Sequence, residues 1–228
     1  TAANNADHGF RRAAAYSGVV TTSIAWGNAV GEYAGFSAGD VVWSNGTGPL
    51  AGSNGNLHAD PLFVDAPNGD LRLQLGSPSI ETGDPSLFPS PALDPDGLTR
   101  VADGDLDKLP RVDMGAYEFG HVRLDVSGTF EPGGPITFAS TGTPGMLSFL
   151  LLALGTDENL LYPYGALLVD PLAAFTMTAW VPAPATVNLV IPPTIPTPLP
   201  LAVQLAALNG SLAAAGNLSN VQSFVIDA

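Results

Sequence analysis

The chain has 228 residues, a net charge of −14 and only 7 basic side chains, which excludes a nucleic-acid binder and disfavours adsorption to anionic membranes. Apolar residues make up 46% of the chain and charged residues 12%, so intrinsic disorder is excluded and a core can form. The absence of cysteine excludes disulfides, zinc–thiolate sites and thiol catalysis.

Turn-forming residues and short apolar runs predict an all-β chain. Glycine and proline number 26 and 21, which is typical of a protein with many turns. The longest apolar run, 146–154, is far shorter than the about 20 residues that cross a bilayer, and no signal peptide is recognisable. Because the chain begins at Thr1, we expect either processing or an origin in a longer protein.

Residues 1–59 contain a weak repeat. The segments 24–28 (IAWGN) and 41–45 (VVWSN) each place a short strand before polar turn residues, and Trp26 and Trp43 occupy the same place in the two segments. A strand and turn that recur at roughly twenty-residue intervals predict a β-solenoid. The turn asparagines either stabilise left-handed bends or stack between successive coils.

Residues 60–119 carry a family resemblance. They contain the segments DPLFVD (60–65), NGDLRL (68–73), GSPSI (76–80) and VDMGAYEF (112–119) in this order. The order resembles the C-terminal end of secreted right-handed parallel β-helix proteins, the pectate-lyase-like repeat proteins of bacterial surfaces. The resemblance implies a short parallel β-helix over residues 1–120 and an extracellular or cell-surface location.

The resemblance also implies how the last coils are built. It implies that residues 114–119 form a strand that closes the β-helix, and that six apolar side chains point inward. These side chains are Leu62, Val64, Leu71, Leu73, Leu75 and Ile80.

A long acidic loop, 81–111, interrupts the apolar pattern. Calcium accepts 6–8 oxygen ligands, and carboxylates at alternate positions suit it. The sequence therefore predicts a calcium site whose candidate ligands are Asp94, Asp96, Asp103, Asp105 and Asp107. The alternatives are a solvated acidic turn, or ion pairs of these aspartates with Arg100, Lys108 and Arg111.

Residues 121–228 predict an immunoglobulin-like β-sandwich. Short strands are expected at 122–126, 136–139, 146–154, 166–169, 175–180, 186–191, 201–208 and 221–226, with turns at 132–135 and 162–165. The run 146–154 predicts a central strand buried on both faces, and the prolines of 192–198 exclude that segment from a ladder. A proline-rich segment before a Leu/Gln strand, 199–208, and Leu-Ser-Asn at 218–220 resemble C-terminal sandwich modules of secreted bacterial proteins.

No catalytic motif is recognisable. His8, His58 and His121 lie in separate segments, and no carboxylate stands beside an aromatic substrate platform. An uncapped first coil favours self-association, so we expect a non-catalytic structural surface protein that assembles, head to tail, into a filament. The alternatives are a carbohydrate-binding or adhesin fragment that contacts surface polysaccharide, and an enzymatic fragment of a polysaccharide lyase.

Overall fold

The structure is a computed structural model that describes residues 1–13, 17–47, 53–87, 92–105, 107, 109–142, 146–161, 165–169, 176–179, 185–209, 216–219 and 221–227. These residues form strands, turns and two short 3₁₀ segments, Ala66–Asn68 and Pro85–Leu87, with no α-helix among them. The predicted all-β class is therefore confirmed. Within the described ranges there is no helix of the length and apolar character that crossing a membrane requires.

Contacts within the chain divide it into two compact units. The first unit comprises Thr1–Asp105 and Pro110–Phe119, and the second comprises Leu106–Leu109 and Gly120–Ala228. The strands of the first unit are β1 Ala2–Ala3, β2 His8–Arg11, β3 Val20–Thr21, β4 Ile24–Trp26, β5 Gly31–Ala34, β6 Val41–Val42, β7 Asn45–Gly46, β8 Phe63–Asp65 and β9 Asp70–Leu73.

The first seven strands pair in parallel with a nearly constant offset. Strands β1, β4 and β7 form one ladder, β2 pairs with β5, and β3 pairs with β6. Ala2 pairs with Ala25, and Val20 pairs with Val41, so the two ladders have almost the same separation along the chain. Each strand therefore lies beside the strand one coil away.

The two tryptophan segments do not pair in the register that would align their tryptophans. Strand β6 pairs with β3, and β4 pairs with Asn45 and Gly46 of β7 instead of with Val41 and Val42. The two segments look alike because each is a short strand before a bend, but they belong to different ladders. One repeat comprises its strands and its turns. The separation of the two tryptophans along the chain is shorter than the separation of paired strands, so it does not equal the repeat length.

Turn conformations and polar contacts repeat with nearly the same offset. Thr22 and Trp43 directly follow β3 and β6, which pair with each other, and they adopt φ angles of 50° and 47°. The side chains of Asn5 and Asn28 lie on successive coils and are joined by an amide–amide hydrogen bond of 2.7 Å. Asn28, a turn asparagine of the first tryptophan segment, therefore bonds to an asparagine on the neighbouring strand level.

The chain reverses after residue 62 instead of completing another parallel coil. Strands β8 and β9 pair antiparallel, and Gly69 closes the turn between them at φ 85°. Leu62, Val64 and Leu75 are exposed, so their predicted inward orientation is wrong. Leu73 is buried, and Ile80 packs against the same core. Because alternation has period two in parallel and antiparallel strands alike, the pattern could not distinguish them.

The predicted closing strand at 114–119 is also wrong. Residues 112–119 form no strand, and they are held by single backbone bonds to separate segments. Met114 N donates to the Ser79 carbonyl at 2.9 Å, and Gly115 N donates to the Thr22 carbonyl at 3.0 Å. The fully buried Met114 side chain packs with Ile24 and other residues of the first unit's core. The segment therefore covers the core as a loop.

The second unit contains the remaining strands. They are β10 Val122–Gly128, β11 Pro135–Gly142, β12 Met146–Ala153, β13 Thr156–Leu161, β14 Gly165–Val169, β15 Thr176–Ala179, β16 Ala185–Val190, β17 Leu199–Asn209, β18 Gly216–Leu218 and β19 Gln222–Ile226. One sheet has the order β10-β11-β16, a second has the order β15-β12-β17-β18 with β19 also paired to β17, and β13 pairs with β14.

Side chains of both larger sheets form one core. Leu124, Phe138 and Leu205 are among its buried members, while Leu151 belongs to a second cluster on the other face of β12. The prediction of a central strand buried on both faces is thus confirmed for β12, which lies between β15 and β17.

Most predicted strands of this unit are confirmed with shifted ends. The predicted strand 175–180 overlaps β15 and falls partly outside the described residues, as do positions 162–164 of a predicted turn. Residues 192–198 lie outside every strand, as their prolines require. Strands β13 and β18 were not predicted, because the sequence TDENLL of β13 and the three residues of β18 carry no apolar alternation.

Candidate functional site

A surface cleft of about 500 Å³ lies in the first unit. This volume falls within the roughly 300–1,000 Å³ typical of small-molecule sites. The cleft combines one aromatic side chain with acidic, basic and amide groups. Its lining residues are Trp43, Gly55, Asn56, Leu57, Glu81, Thr82, Gly83, Pro85 and Arg111.

The turn after β6 positions the aromatic wall of the cleft. Trp43 N donates to the Asn54 carbonyl at 3.0 Å, which holds the turn against the segment that contains Gly55. A Cβ atom at Gly55 would collide with three atoms of the indole ring, and this glycine has a φ of 75°. Only glycine allows the backbone to approach the ring so closely.

Glu81 supplies the buried acid of the cleft. Its side chain is only 3% exposed, and its backbone N–H donates to Asp113 Oδ1 at 2.7 Å. One carboxylate oxygen accepts a hydrogen bond of 2.7 Å from Gly104 N, and the other lies 3.3 Å from Arg111 Nη1. Glu81 therefore joins the cleft to the acidic loop.

Two predicted calcium ligands lie beside Glu81. One carboxylate oxygen from each of Glu81, Asp103 and Asp105 lies within 4.8 Å of the others. Asp103 is buried and Asp105 is exposed. The antiparallel bridge between Ala102 and Arg111 closes the base of the loop that carries both aspartates. Three carboxylates at this spacing form an oxygen-rich group of the kind that hard cations prefer.

The remaining predicted ligands are Asp94, Asp96 and Asp107. Asp107 belongs to the segment grouped with the second unit, and its carboxylate accepts a hydrogen bond of 2.7 Å from Leu109 N. Asp94 accepts hydrogen bonds from backbone N–H groups, including that of Leu98 at 2.8 Å. Asp96 forms a bidentate pair with Arg72 at 2.5 and 2.9 Å. The carboxylates of Asp94 and Asp96 thus hold the loop through these contacts.

A network of buried carboxylates lies behind the cleft. Glu118 accepts a hydrogen bond of 3.0 Å from Asp113 N and forms an ion pair of 3.0 Å with Arg100. Phe119 N and Glu81 N donate to the two oxygens of Asp113. Burial raises the pKa of Asp113 to about 7, although these N–H donors oppose the shift. Burial, followed by repulsion from Asp113, raises the pKa of Glu118 well above its usual range.

The predicted ion pairing of the loop is found in part. Arg100 pairs with Glu118, and Arg111 pairs with Glu81, so each of these bases contacts a glutamate. Lys108 lies outside the described residues.

The partners of the titratable groups in the cleft bear on its chemistry. No histidine lines the cleft, and Glu81 already accepts from Gly104 and contacts Arg111. Sequence reasoning missed this site because it found no aromatic platform beside a carboxylate. Trp43 and Glu81 are far apart in the sequence, and only the tertiary structure brings them to one cleft.

The comparisons with known proteins do not identify a relative. No family model matches the chain, and no curated protein shows a significant match.

Proposed function

We propose that this chain is a non-catalytic extracellular surface protein that binds saccharide through the cleft of its first unit. In this proposal the first unit is the end of a short right-handed parallel β-helix and the second is an immunoglobulin-like sandwich. One observation carries the proposal: Trp43, Glu81 and Arg111 line the same cleft.

These three groups have the chemistry that sugar recognition uses. A sugar ring has an apolar C–H face, which packs on an indole, and an edge of hydroxyl groups, which bond to planar carboxylate and guanidinium groups. The cleft offers both kinds of surface within about 500 Å³. Small-molecule sites typically combine an apolar wall with a few convergent polar groups in this way.

The bonding of Glu81 favours binding over turnover. A polysaccharide lyase needs a base that removes a proton, and a hydrolase needs two carboxyl groups on opposite sides of the bond. Glu81 is buried, and both of its oxygens already have partners. Its carboxylate therefore serves as a fixed acceptor that orients Arg111.

Affinity electrophoresis tests the proposal. We expect native gels that contain a glucan, a mannan, a galactan or a pectin to retard the full chain in at least one case. The variant Trp43→Leu should lose this retardation, whereas Tyr117→Leu, an aromatic replacement outside the cleft lining, should keep it. An assay for new reducing ends or unsaturated products should stay negative. Migration at the same rate in gels with and without each polysaccharide would refute the proposal. Release of reducing ends or unsaturated products would also refute it.

Self-association is the second candidate function, and an apolar edge in the second unit favours it. Among the described residues, β16 pairs only with β11. Leu189 and Val190 on this strand are 51% and 67% exposed. An exposed apolar edge strand is a template for strand addition by another copy.

Assembly is testable by light scattering and negative-stain microscopy. We expect oligomers or filaments for the wild type and a shift towards monomer for Val190→Lys, because an edge lysine opposes pairing. Thr141→Lys, an exposed position on β11, which lies between β10 and β16 and is not an edge strand, serves as the charge-matched control. A monodisperse wild-type monomer across the concentration range would exclude this function.

A further inference from the structure

We infer that the cleft selects uncharged sugar units over uronic acids, and this inference rests on the proposed saccharide-binding function. The charges around the cleft carry it. Glu81, Asp103 and Asp105 bring carboxylate oxygens within 4.8 Å of one another, whereas Arg111 is the one basic residue among the described residues of the cleft lining.

The charge of Arg111 is already balanced within the protein. Its Nη1 lies 3.3 Å from Glu81 Oε2, and the Glu81 side chain is only 3% exposed. The carboxylate half of this pair is fixed in a buried position, while the Arg111 side chain is 41% exposed. A ligand carboxylate that approached Arg111 would therefore compete with a fixed carboxylate.

The neighbouring acids add repulsion that a neutral ligand does not experience. Asp105 is exposed beside Glu81, and the whole chain has a net charge of −14. A field of this sign lowers the local concentration of anionic ligands and their rate of association. The hydroxyls of a neutral sugar can instead donate to carboxylate oxygens and accept from the guanidinium.

The indole contributes binding that does not depend on charge. Gly55 packs its backbone against the Trp43 ring, so little conformational freedom remains to be lost when a ligand binds. An apolar wall of this kind accepts the C–H face of neutral and oxidised sugars alike. Discrimination between them therefore comes from the charged groups at Glu81, Asp105 and Arg111.

Matched ligand pairs test the selection. The probes are gluco-, manno- and galacto-configured tetrasaccharides, each as the neutral form and as the form oxidised at C6 to a uronate. Titration calorimetry with the full chain in calcium-free, chelator-containing buffer gives both affinities. We expect at least one neutral probe to bind and to bind at least tenfold more tightly than its uronate partner, with little change when the NaCl concentration is raised.

Three variants connect the result to the cleft. Asp105→Asn should strengthen uronate binding at least threefold and leave neutral binding within twofold, while Asp7→Asn, an exposed acid outside the carboxylate group of Glu81, Asp103 and Asp105, should change neither. Trp43→Phe should weaken both ligand forms together. Circular dichroism and melting of each variant separate a loss of binding from a loss of folding.

The outcomes separate this inference from the function on which it rests. Equal or tighter binding of a uronate overturns the selectivity and leaves saccharide binding intact. An unchanged uronate affinity in Asp105→Asn also overturns it. If none of the six probes binds, both the proposed saccharide binding and its selectivity are refuted.

Discussion

Replacing Asp113 with Asn should remove much of the pH dependence of the first unit's stability. Asp113 is 2% exposed, and burial raises its pKa to about 7 from an ordinary value of 3.8. An acid whose pKa is raised by folding stabilises the folded state at low pH. This stability is fully present below pH 4 and is lost as the pH rises through 7.

The size of the effect follows from the shift. The pKa of Asp113 differs between the folded and unfolded states by about 3 units, each worth about 1.4 kcal/mol. The free energy of unfolding should therefore fall by on the order of 4 kcal/mol between pH 4 and pH 8. Asn offers one acceptor oxygen where the carboxyl group accepts from both Glu81 N and Phe119 N. The variant should therefore be less stable than the wild type at pH 5 by about 1–3 kcal/mol, the cost of one unsatisfied buried donor.

At pH 8 the order should reverse, because the variant has no buried charge to form at this position. It also relieves the repulsion that raises the pKa of Glu118. Glu118 itself keeps a raised pKa through its burial, so some pH dependence remains in the variant.

Urea titrations at pH 5, 6, 7 and 8 measure these differences. In a Trp180→Phe background the remaining tryptophans, Trp26 and Trp43, both lie in the first unit, so fluorescence reports on that unit. Asp65→Asn, an exposed acid in the same unit, serves as the control for a change of net charge. Parallel pH profiles of the wild type and Asp113→Asn, or wild-type stability that rises from pH 5 to pH 8, would contradict the reasoning.

Three further predictions concern packing and metal binding. Gly55→Ala should lower the free energy of unfolding by about 1–3 kcal/mol more than Gly76→Ala does, because both glycines have left-handed φ but only Gly55 faces an indole ring. Equal losses of stability in urea titrations would contradict this. Leu205→Ala should destabilise the second unit by about 2–5 kcal/mol and Leu189→Ala by less than about 0.5 kcal/mol, because Leu205 is fully buried and Leu189 is half exposed. Calorimetry measures both losses, and similar values would refute the assigned core. Calcium should raise the melting midpoint over that in chelator, and magnesium should not; Asp105→Asn should abolish the shift, and an unchanged wild-type midpoint would count against a structural ion.

Local signals determined most strands of the second unit. Val122 and Leu124 alternate with polar residues and are fully buried, and the prolines of 192–198 keep that segment out of the ladders. These features are readable because strand alternation and the missing proline donor act within a few residues. Strand β13, with its polar sequence, has no such signal and depends on pairing with β14.

Long-range pairing decided what the local pattern left open. The sequence indicated parallel coils, but Val41 and Val42 pair with Val20 and Thr21 and not with the similar tryptophan segment. Leu62, Val64 and Leu75 alternate as core residues do, yet the hairpin of β8 and β9 leaves them exposed. Register and strand direction depend on turns and partners that alternation does not encode.

The sequence determined one part of the candidate site, and the tertiary structure determined the rest. The sequence by itself determined the acidic character of the loop and named Asp103 and Asp105, because neighbouring carboxylates are visible in a single segment. Only the tertiary structure placed Glu81 beside those two aspartates and in the same cleft as Trp43. The physical reason is that tertiary contacts bring together residues far apart in the chain, and no local pattern records which residues will meet.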